Sequence, residues 1–220
     1  MPDQLFIANA VLSLASGLVA LLVSYTAFKH NRLVESGILR FVSFGFMLLG
    51  MGLLLQGSLI TLLALDVGRI ADRAALVYVA SLIYLVLQLV AYSAFAVGYA
   101  RGAYGRKALA FLSVVVVSKS ELLLGTYVNA VTQLGSVMLL GFVVFQGILV
   151  YTRTRNRVSL LVLMGFALIL VAHSLTMLAS VLVSGLLYLA AGSVQFAGFL
   201  ALLLFLIRSG HIGSATEEQK

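Results

Sequence analysis

The chain has 220 residues, 62% of them hydrophobic and only 10% charged, with a mean hydropathy of +1.14 and a formal charge of +7. A soluble domain carries about 25% charged residues, so this composition excludes a protein that covers its surface with water. The absence of cysteine excludes disulfides, thiolate metal sites, cysteine nucleophiles and c-type haem attachment.

Hydrocarbon offers the backbone no hydrogen-bonding partners, so a membrane chain must cross as helices or as a closed barrel. The apolar runs here are long and lack strand-type alternation, which predicts an all-α integral membrane protein. With about 20 apolar residues needed per crossing, seven spans are expected, in one transmembrane domain over residues 1–208 with a short polar tail over 209–220. The first, Leu5–Phe28, follows Met1-Pro2-Asp3-Gln4, which lacks the basic start of a signal peptide and so reads as a retained helix. Asn9, Ser13 and Ser16 share one of its faces. The second, Ile38–Leu65, carries Gly45, Gly50, Gly52 and Gln56. In the third, Ala75–Ala100, Tyr84, Gln88 and Tyr92 recur every four residues and therefore share a face. The fourth, Lys107–Gly125, is interrupted by Lys119 and Glu121. The fifth, Asn129–Tyr151, offers Asn129, Gln133, Ser136, Gly135 and Gly141. His173, Thr176 and Ser180 lie at helical spacing in the sixth, Ser159–Val183, and Tyr188, Gly192 and Gln195 in the seventh, Leu186–Ile207.

Basic residues choose the orientation. Eleven of the 14 Lys and Arg fall on one side of these spans, among them Lys29, Arg32, Arg40, Arg101, Arg153, Arg155, Arg157 and Arg208; only Arg69, Arg73 and Lys119 fall on the other. This predicts a plasma-membrane protein with its N-terminus outside and C-terminus inside. It also accounts for the positive charge without nucleic acid.

The two halves resemble each other. Asn9-Ala10-Val11 recurs as Asn129-Ala130-Val131 and Gly45-Phe46 as Gly165-Phe166, both at an offset of 120. A second register, offset by 107, aligns Gln88 with Gln195 and Arg101 with Arg208. Spans 1–3 would then match spans 5–7 in the same sense, with span 4 as connector. This plan resembles that of microbial rhodopsins and SWEET-type sugar facilitators. The resemblance implies a helix arrangement and no ligand, because the last span has no lysine for a retinal Schiff base and the only proline is Pro2.

Polar side chains inside hydrocarbon are the candidates for function. At about 1.5 Å per residue, Gln88 and Gln195 fall near the midplane, while His173, Gln56 and Gln133 fall in the outer half. With Tyr84, Tyr92 and Thr176 they predict a polar pocket between helices, in a bundle whose inner half is nearly featureless. The plainer reading is interhelical hydrogen bonding, which contributes about 0.6 kcal/mol per bond. Glycines read as sites of close helix approach. Tyr25, Tyr78, Tyr99, Tyr127, Tyr151 and Tyr188 read as interfacial anchors. His30 and His211 fall outside the spans and receive no role.

No Asp or Glu lies well inside a span, so the relay of an ion pump is missing, and no hydrolytic or proteolytic constellation is present. The sequence therefore favours a protein that is no enzyme: a membrane-embedded subunit or sensor working through another membrane protein, a second copy of itself, or surrounding lipid. A facilitator for a small neutral solute is the alternative. An electron-transfer subunit holding haem or quinone at His173 is the weakest reading, since no cofactor is otherwise expected.

Overall fold

The computed structural model describes residues 2–34, 37–64, 73–104, 126–155 and 157–217. Among them every element is a helix: α1 Pro2–Val34, α2 Gly37–Ala64, α3 Arg73–Tyr104, α4 Thr126–Thr154, α5 Arg157–Leu182 and α6 Gly185–Glu217. Each contains a stretch of 23 to 26 residues long and apolar enough to cross a membrane. Six of the seven expected spans are thus seen as helices; the fourth, Lys107–Gly125, lies outside the described residues.

The helices outrun the expected spans, because hydrocarbon thickness limits a span and not the helix that contains it. α1, at 33 residues, is about 50 Å long against a core of about 30 Å. His30, expected beyond the first span, lies inside α1 with Nδ1 2.8 Å from the Thr26 carbonyl. α6 likewise continues to Glu217, so the segment expected as a polar tail extends the last helix. Two short turns join the final three helices, each through a non-glycine residue in the left-handed region, Arg155 (φ 46°) and Val183 (φ 51°). Ser184 closes the second turn, its Oγ accepting from the Leu187 amide at 3.4 Å as an N-cap.

The helices close into a ring. Each packs on its neighbour in chain order, and α6 returns to pack on α1. Along the α1–α2 seam, Ser24 Oγ donates to the Ser43 carbonyl at 2.8 Å and Ser43 Oγ donates back to the Ser24 carbonyl at 2.9 Å. Glycine makes the seams tight: a Cβ on Gly17 would lie 3.1 Å from the Gly50 carbonyl oxygen, and one on Gly50 would lie 3.0 Å from that of Gly17. Gly141 differs from expectation, with open space where its Cβ would be.

Large side chains meet across the ring. Phe46 of α2, Phe95 of α3, Phe166 of α5 and Phe199 of α6 are all buried and form one aromatic layer. Ring centroids are 4.8 Å apart for Phe46–Phe95, 5.4 Å for Phe95–Phe166 and 5.7 Å for Phe46–Phe199. Tyr99, expected as an interfacial anchor, turns inward onto Phe166 at 6.0 Å. Gly45 and Gly165 play matching parts. A Cβ on Gly45 would lie 2.2 Å from Cε1 of Phe95, and one on Gly165 would lie 2.5 Å from Cγ of Leu202. Leu202 is the residue that the 107-residue offset pairs with Phe95.

Candidate functional site

One face of α3 gathers the polar residues. Tyr84, Gln88 and Tyr92 stand one turn apart, and each engages a different helix. The Tyr92 hydroxyl donates to Nε2 of His173 on α5, and the two rings meet edge to face with centroids 5.2 Å apart. Gln88 Nε2 donates to Ser136 Oγ on α4 at 2.7 Å, and Ser136 Oγ donates to the Thr132 carbonyl at 2.9 Å. Tyr84 meets the side chain of Gln195 on α6.

His173 is the junction. Its Nδ1 lies 2.8 Å from Oε1 of Gln133 on α4. An amide oxygen only accepts, so Nδ1 carries the proton and Nε2 offers its lone pair to Tyr92. The imidazole is therefore neutral, 2% exposed, with both nitrogens committed. A haem iron or other metal at His173 would have to displace Tyr92 or Gln133.

Five of the eight candidates thus share direct bonds or one face around His173: Tyr84, Gln88, Tyr92, Gln133 and His173 itself. Gln195 joins through Tyr84. Gln56 is only half-buried and no hydrogen bond ties it to the cluster. Thr176 bonds back to the Ala172 carbonyl of its own helix at 3.0 Å, which removes it from the network. Two amide atoms of the cluster stay buried without a protein partner, Gln88 Oε1 and Gln195 Nε2: one acceptor and one donor.

Among the described residues an open space lies in the other half of the ring. A cavity of about 270 Å³ occupies the half of the ring beyond the aromatic layer, and no residue of the polar cluster lines it. Ile38, Val42 and Phe46 of α2, Val150 of α4, Val162 and Phe166 of α5 and Phe205 of α6 form its apolar wall. The half expected to be nearly featureless thus holds this cavity. The recurrence of Gly45-Phe46 as Gly165-Phe166 was the available signal, since it marks where the two halves build the cavity's floor.

Six long apolar helices in a closed ring, with a polar cluster inside, make this chain a helical multi-pass membrane protein. Comparison with protein-family models, with curated proteins and with solved structures found no match.

Proposed function

We propose that the protein is a non-catalytic, membrane-embedded subunit or sensor that acts through a partner membrane protein or a second copy of itself. The commitment of both His173 nitrogens carries this reading. The intramembrane group best suited to chemistry is used to join α3, α4 and α5, and a group so held positions helices instead of turning over a substrate. The full topology we propose has seven crossings, residues 107–125 supplying the fourth, with the N-terminus outside the plasma membrane and the C-terminus inside, as the basic loops favour. Two same-sense repeats of three helices are supported by the matching contacts of Gly45 with Phe95 and Gly165 with Leu202.

The unpartnered amide atoms of Gln88 and Gln195 favour a second reading, a facilitator whose neutral solute pairs with a donor and an acceptor in the ring. One purification separates the readings. The tagged full chain, drawn from its native membranes in mild detergent, is expected to carry a stoichiometric membrane partner or a second copy, and no pigment. Recovery as a lone monomer, with solute flux in liposomes abolished by Gln88→Leu plus Gln195→Leu, would replace the subunit reading with the facilitator. A Soret absorption band would replace both with a haem protein.

A further inference from the structure

The apolar cavity and the basic end of the ring coincide, and topology alone does not require that. The cavity runs along α2 from Ile38 to Phe46, a depth of about 12 Å at helical rise. Its floor is the aromatic layer at Phe46 and Phe166, and its upper wall reaches the helix ends. There, an arginine stands within three residues of the wall on four of the six helices. Arg40 follows Leu39 on α2, Arg101 follows Tyr99 on α3, Arg153 follows Val150 on α4, and Arg208 follows Leu206 on α6. Arg40, Arg101, Arg153 and Arg208 are exposed. Arg101 is held in place over the Phe41 ring, its guanidinium carbon 5.1 Å from the centroid.

An apolar slot with arginines at its upper end selects one kind of molecule. Its wall offers hydrocarbon, broken only by Tyr99 and Ser159, so a sugar or an amino acid would lose its hydration there without compensation. The guanidinium forks match a carboxylate or phosphate bidentately. The volume, lined by all six helices, suits one alkyl chain; a lipid with two chains would have to leave the second outside the ring. We propose that the cavity binds a single-chain anionic amphiphile, its alkyl chain between the helices and its head among the arginines at the cavity's upper end. The inference stands apart from the subunit-or-sensor reading, because such a ligand would suit a sensor, a subunit or a facilitator alike.

The chain contains no tryptophan, so Phe205→Trp in the cavity wall gives a single fluorescent reporter. Leu204→Trp, at a residue 66% exposed on the outer surface of α6, reports the surrounding lipid. Both full-length variants would be placed in neutral phosphatidylcholine nanodiscs and titrated with dibromostearate, whose bromines quench tryptophan on contact. Saturable quenching of Phe205→Trp is expected, with only a gradual, non-saturating decline for Leu204→Trp. The uncharged methyl ester should bind about tenfold more weakly, as loss of charge-assisted hydrogen bonds implies. In the Phe205→Trp background, Val42→Phe should weaken binding by filling the slot, and the exposed pair Arg153→Gln plus Arg155→Gln should weaken it without touching the core. The proposal is overturned if both reporters quench alike, if the ester binds as well as the acid, or if dibrominated phosphatidylglycerol binds as tightly as the single-chain acid.

Discussion

Gly45→Ala is expected to destabilise the bundle by about 1–3 kcal/mol, the cost of forcing volume into a packed core. The new methyl would lie 2.2 Å from Cε1 and 2.8 Å from Cδ1 and Cζ of Phe95. That ring has little room to retreat. It is fully buried and packed against Phe46, Phe166 and Tyr92. Gly165→Ala should cost less, because Leu202, the matching neighbour, is flexible and can change rotamer. Gly141→Ala is the control, since nothing lies within 4 Å of its added Cβ. Thermal melts of the purified variants, followed by helical circular dichroism, would rank them Gly45, Gly165, Gly141 in decreasing loss. In a Phe95→Ala background most of the Gly45→Ala penalty should vanish, a coupling of the size seen for residues in direct contact. An unchanged penalty there would mean that Gly45 is needed for some other reason.

His173→Leu should destabilise the protein by about 1–3 kcal/mol, the range for leaving a buried polar group unpaired. The substitution takes the acceptor from the Tyr92 hydroxyl and the donor from Gln133 Oε1 at once. Leucine itself suits such a site, since the 120-residue offset places buried Leu53 at the matching position of the first half. The penalty therefore falls on the orphaned partners more than on lost packing. Adding Tyr92→Phe and Gln133→Leu removes both orphans and should restore much of the lost stability, because an apolar replacement of all partners avoids the desolvation cost. If the triple variant is instead as unstable as the three single losses added together, the three side chains do not act as a unit.

The membrane class and the run of helices were legible because a charged fraction of 10% leaves only one solvent in which the chain can fold. The site was legible in part. Four-residue spacing put Tyr84, Gln88 and Tyr92 on one face, but spacing cannot say which helix stands opposite, and each of the three meets a different one. At the 120-residue offset His173 answers Leu53 and so marks a difference between the halves, whereas its double commitment depends on Gln133 approaching from α4. Thr176 shared the periodicity of His173 and still bonded to its own backbone, the usual fate of a helical threonine without a partner. The cavity was hidden for a simpler reason. Its walls are mostly Val, Leu, Ile and Phe, which read the same in a filled core and around a space, so beyond the repeated Gly-Phe pair only the helix positions distinguish them.

The ring closes where α6 packs on α1, with the polar cluster and the cavity inside it. A chain without cysteine allows this to be tested with one introduced pair. A Cβ on Gly192 would lie 2.9 Å from Cδ2 and 3.6 Å from Cγ of Leu12, so the two positions touch directly across the α6–α1 seam. Leu12→Cys with Gly192→Cys is expected to form an intramolecular disulfide under mild oxidation in the native membrane. Leu12→Cys with Met138→Cys, the latter on the exposed surface of α4, should form none. Failure of the first pair to link within one chain, or linking by the second as readily as the first, would contradict the closed ring.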